Sequence, residues 1–191
     1  MYDYNKMKQA TVMFLEALGE DPKRDGLLET PDRVAKMYGK LLNGYDEDPK
    51  QHIKLFPAEG SSMITLSPIR FYSYCEHHLQ LFTGHIHMCY IPQDKIVGIS
   101  KLVRLSRVFC KRLQVQERLT HQIADALHEC LNPIGCGVMV RSQHFCMNLR
   151  GVQTPGSIMT TTEVRGLLKE DLKAREEFLK TIEYSNDVFG Y

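Results

Sequence analysis

The chain has 191 residues, 43% of them hydrophobic, which is enough for one cored domain with an appendage; neither disulfides nor a metal is needed merely to fold it. Its 24 basic residues nearly balance 23 acidic ones, for a net charge of +1, which argues against a nucleic-acid duplex as partner but leaves room for a local basic pocket. The opening MYDYNKMKQA has no cationic stretch before an apolar run, and no segment approaches a membrane span, so no export signal and no membrane partner are expected.

In chain order, residues 4–19 place Met7, Ala10, Met13, Phe14, Ala17 and Leu18 at helical spacing, with Gly19 as a stop. Thr30-Pro31-Asp32-Arg33 reads as a helix start, Thr30 as its cap, and the helix runs to about Leu42 before Asn43-Gly44. Residues 46–62 read as a loop broken by Pro49, Pro57 and Gly60. Residues 63–74 and 81–91 are rich in β-branched and aromatic residues and read as antiparallel strands joined through 76–80. A turn at 92–95 leads to a short extended stretch at 96–99, and Ser100 is expected to cap a helix reaching about Cys110. A longer helix spans about 115–131, with Leu119, Ile123, Ala126 and Leu127 on one face, and Asn132-Pro133 ends it. Strands are expected at 137–143 and again around 146–152, then a closing helix at about 171–184. Helices and an antiparallel sheet without regular βαβ alternation indicate an α+β fold. Residues 1–50 read as an N-terminal helical region and 51–191 as the main domain.

Chemistry concentrates in two short clusters, Cys75-Glu76-His77-His78 and His144-Phe145-Cys146. Two thiolates and an imidazole suit a zinc ion that keeps one position open, leaving the other histidines to move protons. In an extended segment His77 and His78 would point to opposite faces, whereas His144 and Cys146 would share one. The remaining cysteines, Cys89, Cys110, Cys130 and Cys136, sit in apolar surroundings and read as small core residues; six cysteines without an export signal indicate a reduced, cytoplasmic protein. Lys101 and Arg104 share a helix face beside a helix start, and Arg150 follows Cys146 by four residues, so a polyanion could be held by scattered cations. No Gly-x-x-x-x-Gly-Lys-Ser/Thr loop is present. Gln116-Glu117 sets an amide beside a carboxylate, a pair suited to the donor-rich edge of guanine and equally ordinary on a surface helix.

Taken together, Cys-Glu-His-His, Gly98-Ile99-Ser100-Lys101-x-x-Arg104, Gln114-Val115-Gln116-Glu117-Arg118-Leu119-Thr120, His144-x-Cys146 and Arg150-Gly151 resemble GTP cyclohydrolase I in order and spacing. Glu29-Thr30-Pro31-x-Arg33-Val34-Ala35-Lys36-Met37-Tyr38 resembles its N-terminal helix, and the resemblance spans roughly 5–182. It implies the tunnelling fold, an antiparallel sheet backed by helices, with sheets joined edge to edge into pentameric rings that stack as a homodecamer with active sites between subunits. It implies Cys75, His78 and Cys146 as zinc ligands and His77 and His144 as acid–base groups. Gln116 and Glu117 match the guanine-recognising pair. Ser100, Lys101, Arg104 and Arg150 match ribose and triphosphate contacts, with Arg33 and Lys36 reaching in from a neighbouring subunit. The implied reaction hydrates carbon 8 of the guanine of GTP while His144 protonates nitrogen 7. It then releases formate and, after an Amadori rearrangement with His77 and Ser100 shuttling protons, closes 7,8-dihydroneopterin triphosphate. Gln116 counts here among the catalytic residues.

The chain departs from the family pattern at Cys110, at Thr154, where a basic residue is frequent, and at Thr160-Thr161-Thr162; none of these is an implied ligand. Two rival functions are a non-catalytic GTP- or pterin-binding regulatory homologue and a closed structural zinc site. The first should have lost a ligand or proton donor, and the sequence retains all of them.

Overall fold

The computed structural model describes residues 2–189, with side chains through 184. Two helices precede every strand. α1 (Tyr4–Ala17) is capped by Asp3, whose carboxylate accepts from Lys6 N–H at 2.9 Å. α2 (Thr30–Leu41) has Glu29 at its cap position with no side-chain hydrogen bond, so Thr30 is the first helical residue and not the cap. The pair is tied by the Tyr2 hydroxyl donating to Ala35 O at 2.6 Å and by the Tyr4 hydroxyl on the Asp32 carboxylate. Two 3-10 turns, Asn43–Tyr45 and Pro49–His52, lead onward. Gly44 anchors this lead: its N–H donates to Lys111 O at 3.0 Å and its carbonyl accepts from Arg112 Nε at 2.9 Å.

β1 (Leu55–Pro57) falls inside the stretch expected as loop and pairs antiparallel with β4 (Lys95–Val97). β2 (Ile64–Cys75) and β3 (Leu81–Ile91) form the expected antiparallel hairpin. α3 (Ile99–Cys110) follows, with Gly98 at its cap and Ser100 inside the first turn, so Ser100 does not cap it. β5 (Leu113–Gln114) adds two residues parallel to the end of β2. α4 (Gln116–Leu131) stops at Asn132, which adopts the left-handed conformation with Pro133 behind it. β6 (Gly135–His144) is succeeded by α5 (Phe145–Asn148), a single helical turn.

The strand expected at 146–152 is therefore absent. The backbone there curls, and Gly151, Gln153 and Gly156 take positive φ in the loop that follows. The next strand is instead β7 (Met159–Gly166), before the short α6 (Leu167–Glu170) and the long α7 (Leu172–Phe189). Its Thr-Thr-Thr-Glu start shows little contrast between apolar and polar positions, so periodicity alone does not reveal it.

The main sheet runs β5-β2-β3-β6-β7, antiparallel throughout except for β5 on β2, so it is mixed and not wholly antiparallel. One face of β3 and β6 carries Phe82, Ile86, Met88, Val138 and Val140 against Leu102, Leu105, Leu119, Ile123 and Leu127 of α3 and α4. The opposite face is covered at one end by α7, whose Phe178 and Ile182 pack on Cys89 and Ile91. Gly137 makes that approach possible, since a Cβ there would lie 2.9 Å from the Phe178 ring. Cys89, Cys110 and Cys136 are fully buried core residues as expected, with burial pushing their thiol pKa values up, and Cys130 is partly buried. No described helix is long and apolar enough to cross a membrane.

One buried histidine has a consequence for stability. His87 is 1% exposed, its Nδ1 lies 2.6 Å from Ser67 Oγ, and burial holds its pKa down to about 4. An unfolded histidine titrates near 6.5. Between pH 6.5 and 4 the unfolded chain therefore binds the extra proton, and stability falls as pH drops through that window. We expect His87→Gln to remove up to roughly 3 kcal/mol of this acid-side loss. Denaturant unfolding of both proteins at pH 7, 5.5 and 4.5 checks it. Parallel pH dependence in the two proteins contradicts the assignment.

Candidate active site and metal centre

The metal-ligand cluster is built by a turn and a strand end. Between β2 and β3, Leu79 N–H donates to Cys75 O and Cys75 N–H to Gln80 O, both at 2.8 Å, closing residues 76–79 into one tight loop with Leu79 at φ 53°. The segment is thus a turn and not extended, and it folds His78 back over Cys75. On the neighbouring side β6 ends at His144, and α5 lifts Cys146 towards the same point. One ligand atom from each of Cys75, His78 and Cys146 lies within 4.8 Å of the others, and among the described residues this is the single such group.

Cys75 is buried, Cys146 half-buried and His78 exposed, so the group opens to solvent on one side. Burial and the adjacent Cys75 thiol push Cys146 upward, so a bound cation would have to displace its proton. Two sulfurs and one imidazole fit a borderline-soft divalent ion and leave a fourth position unfilled by protein.

Glu76 steadies the turn from outside. Its carboxylate receives Arg118 Nη1 at 2.5 Å and Nη2 at 3.0 Å, a bidentate pair joining the turn to α4, and that bond lowers the Glu76 pKa. Arg118 belongs to the sequence motif, yet its partner is not visible from spacing alone. His77 is largely exposed, with Nε2 4.0 Å from Glu76 Oε1 and its ring edge-on to His78 at 6.3 Å.

His144 is held much more tightly. Its ring stacks on Phe82 at 4.6 Å with an interplanar angle of 4°, and its Nε2 lies 2.9 Å from Gln116 Oε1. Gln116 is 1% exposed, and its Nε2 donates to Val140 O at 3.0 Å, Met159 O at 3.1 Å and Thr161 Oγ1 at 3.1 Å. Backbone carbonyls only accept, so the amide cannot be flipped and Oε1 is the acceptor. Oε1 also accepts from Ser142 Oγ at 2.6 Å. His144 Nε2 must then carry the hydrogen in its bond, leaving Nδ1 as the nitrogen able to exchange a proton.

Every polar atom of the Gln116 side chain is thus spent inside the protein, which leaves nothing to offer guanine. Thr161, through Thr120 at 2.6 Å, and Ser142 complete this network, and none of them is a residue that the sequence singles out as functional. Burial pushes the His144 pKa below its ordinary value, against an upward pull from the Glu117 carboxylate. Glu117 is exposed and near enough to act on His144, and Arg150 is near enough to act on Cys146.

Other expected site residues do not gather here. Ser100, Lys101 and Arg104 lie at the β4 end of α3, whereas Cys75 pairs with Gln114 just beyond the other end. Ten residues of helix separate those ends by about 15 Å. Arg33 and Lys36 lie on α2 and pair within it, with Glu29 at 2.8 Å and Asp32 at 2.6 Å.

The α+β fold thus presents a Cys-His-Cys group that could hold a metal ion, with an oriented histidine two residues from Cys146, an arrangement suited to metal-dependent hydrolysis and proton transfer. The sequence family described as GTP cyclohydrolase I matches residues 7–183, and this chain belongs to that family. It is 47% identical to the GTP cyclohydrolase 1 of Desulforamulus reducens over 184 residues, covering 95% of this chain and 98% of the relative. It is 49% identical to the enzymes of Aquifex aeolicus and Streptococcus thermophilus, with 94% of this chain and 97% of each relative covered. A solved structure of the archaeosine synthase QueF-Like in its apo form aligns with a TM-score of 0.43 at 18% identity, covering 56% of this chain and 97% of that one. That likeness is too distant to bear on fold or function.

Proposed function

We propose that Cys75, His78 and Cys146 hold a zinc ion at which this GTP cyclohydrolase I opens the guanine imidazole ring. The activity converts GTP and water to 7,8-dihydroneopterin triphosphate and formate. The observation that carries the site is the clustering of those three ligand atoms within 4.8 Å, next to a histidine whose tautomer the protein fixes.

Zinc bound there supplies an activated water near neutral pH. The chain's own residues do the rest. His144 stands neutral with Nδ1 available, so it can take a proton from water and return it to nitrogen 7 of the purine. Glu117, exposed beside it, offers a carboxylate to the ring NH and exocyclic amine of guanine and so fixes carbon 8 in position. Gln116 acts one step back, as the residue that orients His144. His77, exposed at the rim, is free to serve the sugar during the Amadori rearrangement and ring closure.

Phosphate recognition points to more than one subunit. Arg150 lies near Cys146, but Ser100, Lys101 and Arg104 sit at the far end of α3, so a site using all of them draws the latter from a second copy. Arg33 and Lys36 on α2 fit the same pattern. β7 lies at one margin of the sheet and the two-residue β5 at the other, which suits edge-to-edge closure into a ring and a stacked homodecamer in the tunnelling-fold manner. Within each chain, residues 1–50 form a helical appendage and 51–191 the catalytic unit, with cytoplasmic location in keeping with six free thiols.

Incubating purified, zinc-loaded protein with GTP tests the reading. Formate and, after oxidation and dephosphorylation, fluorescent neopterin should appear in equal amounts. Stoichiometric zinc with neither product would instead favour a non-catalytic GTP- or pterin-binding protein.

A further inference from the structure

The part of the second sheet face that α7 leaves uncovered carries a row of basic residues. Register sets Arg70 opposite His85, His85 opposite Arg141, and Arg141 opposite the neutral Thr160. Residues directly opposite one another share a face, so these three basic side chains stand side by side on neighbouring strands. Strands lie about 4.8 Å apart, so two guanidinium stems flank an imidazole across roughly 10 Å. Like charges in such positions repel and cost stability unless something answers them.

Nothing among the described residues answers the arginines. Arg24, Arg33, Arg118 and Arg165 each reach a carboxylate, whereas Arg70 and Arg141 are exposed and make no ion pair. A depression of about 300 Å³ opens beside Arg141, with Thr83, His85, His87 and Gln143 also in its lining and no acidic residue. The positive field is felt locally: after burial, Arg70 and Arg141 are what push the His85 pKa down. This face is the reverse of the one bearing Phe82, Ser142 and His144, so the row lies apart from the metal centre.

We propose that this face binds a compact polyanion with at least two phosphoryl groups, one engaged by Arg70 and one by Arg141. A guanidinium fork matches phosphoryl oxygens two at a time, and a second fork one strand away suits a second phosphoryl group. Thr83 and Gln143 in the next row add neutral polar surface, and Tyr72, 55% exposed, stands opposite Thr83 at the rim. The proposal is independent of how the metal centre is read.

Calorimetric titration with inorganic pyrophosphate, on the full-length metal-loaded protein, tests it. Four proteins are compared: wild type, Arg70→Gln/Arg141→Gln, Arg141→Lys, and Lys101→Ala/Arg150→Ala, which removes cations assigned to the substrate. Wild type and the Lys101/Arg150 variant should share a binding event that weakens about tenfold or more in the Arg70/Arg141 variant, because both charge-assisted forks are gone. The Arg70/Arg141 variant should keep its turnover of GTP, and its melting temperature should not fall, since a repulsive pair has been removed. Arg141→Lys, which keeps charge but loses the fork, should lie between. Equal pyrophosphate affinity in wild type and the Arg70/Arg141 variant overturns the proposal. So does loss of the event only in the Lys101/Arg150 variant, which would place the anion in the substrate pocket. A parallel titration with ADP separates sources: affinity no tighter than for pyrophosphate assigns a free polyanion, and tighter affinity assigns a nucleotide with its base on Tyr72.

Discussion

Cys146→Ser is expected to strip most of the zinc and to end formate release. The substitution is nearly isosteric and falls on a half-buried residue in a one-turn helix, so little packing is disturbed. What changes is ligand chemistry: a serine hydroxyl does not deprotonate for the ion as a thiol does, and Cys75 and His78 alone hold it weakly. A bound metal contributes several kcal/mol of transition-state stabilisation, so turnover should drop by at least about a thousandfold. The apo fold should survive, because the core of Phe82, Ile86, Leu119 and Leu127 is built without the metal. Thermal stability of the variant should match that of wild-type protein treated with chelator and lie below that of the zinc-loaded form. Elemental analysis together with formate release decides the matter. Full zinc and full turnover in the variant would falsify the ligand assignment.

How much of this was legible in the sequence depends on the range of each interaction. The two clusters were legible because Cys75 and His78 are three apart, His144 and Cys146 two apart, and few chemistries use those residue types so densely; which histidine joins the two cysteines came from the family resemblance and not from spacing. The local conformation around them was not. Reading 76–78 and 144–146 as extended misses the local backbone; a turn and a helical turn bring Cys75, His78 and Cys146 together instead. Periodicity cannot report a tight turn closed by Leu79 N–H on Cys75 O, since that bond belongs to the backbone.

Gln116 shows the same limit at longer range. Its neighbour Glu117 suggested a guanine-facing pair, but its amide partners are the carbonyls of Val140 and Met159, 24 and 43 residues away on two strands. Backbone acceptors leave no trace in residue identity. β7 is not visible in the sequence for a related reason: its value to the fold lies in pairing with β6 and presenting Thr161 to Gln116, and neither demands an apolar alternation. By contrast, the sequence delimits α4 nearly to the residue, because a continuous apolar stripe and the Asn132-Pro133 stop are local signals.

His144→Ala should retain zinc and lose about a hundred- to ten-thousandfold in turnover, the usual span for removing a general acid–base group. Ring opening should stall before any formylated species forms, because His144 is the group placed to move a proton at the purine. His77→Ala should instead allow reversible opening and let an intermediate that keeps the formyl carbon build up. Quenched reactions read by mass spectrometry separate the two, and a common stalled species in both variants would refute the division. Gln116→Leu supplies the sharper test. It removes the acceptor that fixes the His144 tautomer, and it leaves the buried Ser142 hydroxyl without that acceptor, at roughly 1–3 kcal/mol of stability. If Gln116 works only through His144, its loss should cost turnover in the wild-type background and almost nothing further once His144 is alanine. Groups that act as a unit show this non-additivity in a double-mutant cycle. If Gln116 instead contacted guanine, the two losses would add, and Gln116→Leu would raise KM for GTP in both backgrounds. A flat KM with a strongly non-additive kcat therefore places Gln116 behind the histidine and not against the substrate.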